Sequence, residues 1–236
     1  MSSDFSPAVA EALHSALKVA PHGAIAAFDA DGTLWPGDLG DEFFRELAAA
    51  GRFLPGAERD LWSAYQQRIA ADKRAAYLWA VQRMAGLPEI EVATRARDLA
   101  RRWESRLRKP MRALVGACRK AGLKTFLVSG SNRWLIEAIA PAAGFDVANA
   151  IGIGVEVLGG RLTDRAVEPV SYAAGKVDAL AARAGGAAIY LAVGDSPTGD
   201  HALLAAAQFS LAIGPLLRNE ANGRGWLWHD FEDEAA

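Results

Sequence analysis

The sequence predicts a mixed α/β fold: a mostly parallel sheet covered by helices on both faces, with a small helical insertion after the first strand. Three observations carry this expectation. Four short apolar runs bounded by turn residues, at 24–28, 125–128, 188–193 and 209–213, read as strands buried on both faces. Helical patterns alternate with these runs, which implies right-handed crossovers and a parallel sheet. Between Asp38 and Lys109 the rhythm breaks, with several helical repeats and no strand.

Taken in order, the first run leads into Phe28-Asp29-Ala30-Asp31-Gly32-Thr33-Leu34. Carboxylates one residue apart at the end of a buried strand repel unless a cation or a shared proton offsets the cost. A solvated Asp-Gly turn is the plain alternative. Pro36-Gly37 then marks a hinge. In the insertion, Phe43, Phe44 and Leu47 recur at helical spacing. So do Trp62, Tyr65 and Ile69, then Leu78, Val81 and Ala85, then Leu99, Trp103 and Leu107. Lys109-Pro110 marks the return, so the expected organisation is a core of residues 1–37 and 109–236 with residues 38–108 inserted as a helical unit.

A helix over 111–121, stopped by Gly122, leads to the second strand, which runs into Ser129-Gly130-Ser131-Asn132. The next helix, 134–140, ends near Pro141, and Gly159-Gly160 between extended residues 155–163 suggests a tight hairpin. Lys176 opens a helix to Ala184, ended by Gly185-Gly186 before the third strand. That strand runs into Gly194-Asp195-Ser196-Pro197-Thr198-Gly199-Asp200, and a helix over 201–207 precedes the last strand.

Composition narrows the function. A chain of 236 residues, 51% hydrophobic, can bury a sizeable core. A formal charge of −2 gives no basic field for nucleic acid or an anionic membrane. Cys118 is the only cysteine, so no intrachain disulfide or thiolate metal cluster forms, and a buried inert thiol is expected. The first 21 residues lack a secretory pattern and no run reaches the ~18 apolar residues of a membrane span, so a cytoplasmic protein is expected. Trp226, Trp228 and Phe231 are expected to pack on the core or on another subunit, a homodimer being one such assembly.

In open parallel sheets, ligands bind at the carboxyl ends of the strands. Here those ends carry residues suited to phosphate chemistry. A carboxylate such as Asp29 or Asp31 can attack phosphorus and divide one displacement into two. A second acid can protonate the departing oxygen and later deprotonate water. A dianionic substrate would repel both acids unless Mg²⁺ intervened, and Asp195 and Asp200 supply further hard oxygen ligands. Lys176, Ser129 and Gly130 suit the holding of transferring oxygens. Singly, each has a plain explanation as a turn, a cap or an exposed charge.

The order Asp29-Ala30-Asp31-Gly32-Thr33, then Ser129, then Lys176, then Gly194-Asp195 with Asp200 resembles the four motifs of the haloacid-dehalogenase-like superfamily over nearly the whole chain. The resemblance implies a Rossmann-like three-layer α/β/α core with a helical cap, a small phosphate monoester as substrate, and Mg²⁺. It implies Asp29 as nucleophile and Asp31 as acid/base, Ser129 and Lys176 as phosphate holders, and Asp29, Asp195 and Asp200 as metal ligands with the main-chain carbonyl of Asp31. Gly130, Thr33, Trp35, Asp38 and Asn132 are expected around the substrate.

The hairpin, Ser129-Gly130 and the cap placement resemble phosphoserine phosphatases, which usually have glutamate at Asp38 and serine at Gly32. Thr33-Leu34-Trp35, Asp38-Leu39 and the stretch 77–87 resemble phosphocholine phosphatases, which would make Trp35 and Trp79 walls around a quaternary amine. Arg68, Arg74 and Arg83 are candidate partners of a substrate carboxylate, with solvated helix charges as the plain alternative. A carbon–halogen hydrolase would need neither Asp31 nor the acidic third loop, and a binding module would be expected to lack one of these groups. A phosphotransferase would use the same residues.

Overall fold

Strand β1 (Ile25–Phe28) sets the layering, because its side chains alternate between two apolar cores. Ala26 and Phe28 enter one, Ile25 and Ala27 the other. The structure, a computed structural model, describes residues 5–53 and 60–231. The remaining strands are β2 (Lys124–Asn132), β3 (Ala150–Leu158), β4 (Arg161–Val167), β5 (Ile189–Gly194), β6 (Phe209–Ile213) and β7 (Leu227–His229). They form one sheet in the order β4-β3-β2-β1-β5-β6-β7. Every neighbouring pair is parallel except β3 with β4.

On the first face lie α1 (Pro7–Lys18), α6 (Lys109–Lys120) and α7 (Arg133–Ala143), which bury Leu13, Met111, Leu114, Leu135 and Ile139. On the other lie α8 (Ala174–Ala184), α9 (His201–Ala205) and α10 (Arg218–Arg224), which bury Leu180, Leu203, Leu204 and Ala221. This is a three-layer α/β/α arrangement. Truncating any of these buried leucines to alanine is expected to cost about 2–5 kcal/mol.

All four expected strands are present, and three segments differ from expectation. Strand β2 continues through Ser129 to Asn132, so Ser129 lies within a strand. The expected hairpin exists, but β3 starts at Ala150 and joins the sheet beside β2. Gly152 hid this start: an added Cβ there would lie 2.8 Å from the Arg133 Cα and the Ser131 carbonyl, so no side chain marks the alternation. Strand β7, three residues long, is too short to show a period; around it Trp228 donates to the Gly214 carbonyl at 2.8 Å and Phe231 packs on Phe5, so these aromatics lie on the core. Cys118 is free and buried, and its thiol is pushed up to about 12 by burial. No helix among the described residues is long and apolar enough to cross a membrane.

Between β1 and α6 the described helices are α2 (Leu39–Ala49), α3 (Leu61–Ala71), α4 (Lys73–Gln82) and α5 (Glu89–Trp103), with a short 3-10 turn after α5. The first three start at aspartates: Asp38, Asp60 and Asp72 accept from the N–H groups of Asp41, Ser63 and Ala75. Helix α5 packs along α7, where Glu89 accepts from Arg133 at 2.9 Å and Trp134 at 3.1 Å. That contact ties one end of the insertion to the core. Helices α2 to α4 stand over the carboxyl ends of the strands.

Candidate active site

One cavity of about 400 Å³ collects Asp29 and Asp31 from the end of β1, Ser129 and Gly130 from β2, Lys176 from α8, and Asp195 and Asp200 from the loop after β5. Lys176 is only 2% exposed, not the surface charge that a helix lysine usually is. Its ammonium donates to Asp29 at 2.5 Å and to Asp200 at 2.6 Å. The turn before α8 explains this placement. Ser171 donates to the Ser129 carbonyl at 2.7 Å, Ala173 adopts φ +52°, and Gly175 presses on Val170 so closely that an added Cβ would lie 2.0 Å from the carbonyl oxygen. A non-glycine residue in that region stores strain of order 1–3 kcal/mol, which the surrounding contacts hold in place.

Asp200 is fully partnered. Its second oxygen accepts from the N–H groups of Asp195 at 3.1 Å and Ser196 at 2.9 Å. Three carboxyls, from Asp29, Asp195 and Asp200, gather at the Lys176 ammonium, which bonds Asp29 and Asp200. Burial by itself would lower the lysine, but Asp200 and Asp29 together outweigh it and hold it above the ordinary lysine range. The surplus negative charge falls on the acids: burial and then Asp200 raise Asp29 to about 7, and burial and then Asp29 raise Asp195 to about 9. Oxygen atoms of these three aspartates lie within 4.8 Å of one another.

Asp31 faces away from that trio. Its carboxylate accepts from Trp35 Nε1 at 2.9 Å, the Leu39 N–H at 2.7 Å and the Ser131 hydroxyl at 2.8 Å, while Ser129 Oγ lies 3.5 Å away. Desolvation nonetheless raises Asp31, outweighing these donors. The loop between the two acids is gripped from both sides. Thr33 donates to Asp29 at 3.1 Å and Asp195 at 3.4 Å; Arg108 donates to the carbonyls of Gly32 and Thr33 from outside. Gly32 has φ +78°, and an added Cβ would lie 2.2 Å from the Asp195 carboxylate, so a side chain there would be strained and would displace Asp195.

Several expected substrate residues lie elsewhere. Trp35, 1% exposed, does not line the cavity; it packs edge-on against Trp103 and serves Asp31 instead. Trp79 is also absent from the lining and stacks beneath Arg68 and Arg83. Arg74 pairs with Glu168 at 3.6 Å, and none of the three arginines lines the cavity. Asn132 borders the cavity, but its Oδ1 caps α7 by accepting from the Leu135 N–H at 3.1 Å. Asp38 lines the cavity and caps α2.

Sequence reasoning assigned no role to Ser131, Ser171, Tyr77, Tyr172 or Arg108. Ser131 was legible in Ser129-Gly130-Ser131, where alternate residues of a strand share a face. Tyr77 and Tyr172 meet edge to face at 5.3 Å beside Gly130, where an added Cβ would lie 3.3–3.4 Å from both rings. For Arg108, 75 positions from Thr33, no local pattern exists.

A parallel sheet with this aspartate-lysine centre at its strand ends defines an α/β-class hydrolase. The chain belongs to the haloacid dehalogenase-like hydrolase family, whose model matches residues 26–205. No curated protein matches it. Among solved structures, it is similar to a protein of unknown function from Bordetella pertussis Tohama I, with 26% identity, TM-score 0.77, and coverage of 89% of this chain and 99% of that one. It shares its fold with a substrate-bound phosphoserine phosphatase at 18% identity and TM-score 0.59, covering 89% and 93%. A phospho-aspartyl intermediate analogue of phosphoserine phosphatase matches at 18% identity and TM-score 0.57, covering 91% and 95%.

Proposed function

We propose that the protein is a Mg²⁺-dependent phosphomonoester phosphatase that acts on a small metabolite through an aspartyl-phosphate on Asp29, with residues 38–108 as its cap. The carrying observation is the Lys176 ammonium, held between Asp29 and Asp200 in the cavity that also contains Asp31 and Asp195. Such a cation beside a carboxylate draws in a phosphoryl group that the acids alone would repel.

In this reading an Asp29 oxygen attacks phosphorus as the bond to the ester oxygen breaks, and Asp31 gives its proton to the departing alkoxide. Asp31 then takes a proton from water, whose oxygen attacks the acyl phosphate. The bond to Asp29 breaks, inorganic phosphate leaves and the carboxylate is restored. The raised Asp31 suits the first proton transfer, and the donors from Trp35, Leu39 and Ser131 aim it. Lys176 and the Ser129 hydroxyl hold the transferring oxygens.

The donor set fits Mg²⁺: hard carboxylate oxygens of Asp29, Asp195 and Asp200, gathered within 4.8 Å. Bound there, the ion would neutralise charge on the phosphoryl group and the acids. The fold shared with a phospho-aspartyl analogue of phosphoserine phosphatase supports the covalent route.

Two measurements test the proposal. Turnover of p-nitrophenyl phosphate should require Mg²⁺ and stop with EDTA. Crystals grown with Mg²⁺ and beryllium fluoride should carry an adduct on Asp29, lost in Asp29→Asn; full metal occupancy without an adduct would refute the covalent route.

A further inference from the structure

Beyond the phosphate-sized floor, the cavity walls supplied by α2 to α4 are mostly apolar. Phe43, Phe44 and Leu47 of α2, Tyr65 of α3, Val81 of α4 and Met84 just after it line the space, and none is more than 4% exposed. Tyr65 turns its hydroxyl away to donate to Asp41 at 2.9 Å, so its ring is the surface it offers.

Outside the floor, the charged lining residues among those described are Asp38 and Lys73. Asp38 caps α2 with one oxygen, which accepts from the Asp41 N–H at 2.8 Å. Lys73 is exposed at the start of α4, at the rim. A carboxylate carried among the wall residues would therefore lose its hydration without gaining a cation, whereas an ammonium would find the Asp38 carboxylate. Size sets only an upper bound. At about 30 Å³ per water-sized group the cavity holds roughly thirteen such groups, and phosphate takes about five, which leaves space for roughly eight heavy atoms.

We infer, resting on the phosphatase reading, that the ester cleaved here carries an uncharged apolar alcohol about the size of a benzyl group, rather than an amino acid. Phosphate sits on the polar floor, and the alcohol lies among the α2–α4 side chains, where burial of apolar surface supplies the discrimination.

The test compares kcat/KM with Mg²⁺ for benzyl phosphate, phosphoserine and phosphocholine, all esters of primary alcohols. Benzyl phosphate should exceed both others by at least about tenfold. Met84→Gln, which puts an amide in place of the thioether, should lower the benzyl phosphate value at least about fivefold, while inhibition by inorganic phosphate stays within about twofold. Ala80→Asn, at a half-buried lining position, gives the same readout should Met84→Gln fail to fold. A preference for phosphoserine or phosphocholine, or an unchanged benzyl phosphate value in the folded variant, overturns the inference and leaves the phosphatase reading standing. No turnover of any ester, together with no beryllium fluoride adduct, overturns that reading and the inference with it.

Discussion

Arg108 donates from Nη1 to the carbonyl oxygen of Thr33 at 2.9 Å, and the same nitrogen reaches the Gly32 carbonyl. The guanidinium lies over Phe231 at 4.8 Å, while the backbone N–H of Arg108 donates to the Leu34 carbonyl at 2.8 Å. The return from the helical insertion thus braces the outer side of the loop whose inner side carries Asp29 and Asp31. Losing hydrogen bonds from a charged group costs about 1.5–3 kcal/mol. Arg108→Ala should therefore lower kcat by about ten- to a hundredfold with little change in KM, and Arg108→Lys, lacking the planar fork, should recover only part. Steady-state kinetics that left kcat intact would show that the loop holds its shape alone.

Trp35 gives Asp31 a donor at 2.9 Å while buried against Trp103. Trp35→Phe keeps an aromatic ring but removes the N–H. The lost donor favoured the ionised acid, so Asp31 should rise further, and the alkaline limb of the pH–rate profile should move to higher pH as kcat falls about fivefold. An unmoved limb would place that limb on another group.

Lys176→Met would leave the acids around it without their ammonium. Turnover should drop by at least about a hundredfold, the scale of losing one preorganised donor. Breaking a buried pair from one side costs about 3–5 kcal/mol, so thermal unfolding should also show a clear loss of stability. Wild-type-like melting would mean that a cation from solution replaces the ammonium.

Metal removal should make stability depend on pH. Asp29 near 7 and Asp195 near 9 keep their protons in the folded metal-free protein where the unfolded chain, at 3.8, has released them. Folding then takes up protons, and stability falls as pH rises from about 4 through 7 to 9. In EDTA the melting temperature should be lower at pH 8.5 than at pH 6. Mg²⁺ binds the ionised carboxylates, so its stabilising effect should be larger at pH 8.5 and reach several degrees, at about 2–4 °C per kcal/mol. Equal Mg²⁺ effects at the two pH values would count against a carboxylate metal site.

Much of the fold was legible because β1, β2, β5 and β6 are continuous apolar runs at the centre of a sheet, where burial on both faces leaves no other pattern. β3 and β7 were harder to see: Gly152 erases the alternation in one, and three residues cannot show a period in the other. Within the site, Asp29, Asp31, Lys176, Asp195 and Asp200 stood out because each follows or precedes a recognisable strand. Trp35 and Trp79 were expected around the substrate from the phosphocholine-phosphatase resemblance, and a motif match does not tell which neighbours a side chain meets; neither lines the cavity.

By itself, the order of residues along the chain determined an alternating α/β sheet, the helical insertion and the set of acids and lysine at the strand ends, because periods of 2 and 3.6 and turn residues act locally. Only the tertiary structure decided that Lys176 bridges Asp29 and Asp200, that Arg108 braces Thr33, and that Phe43, Met84 and Tyr65, not tryptophans, wall the cavity. Those pairings join residues distant in sequence, and the packing of α2 to α4 over the sheet selects among side chains that share the same local pattern.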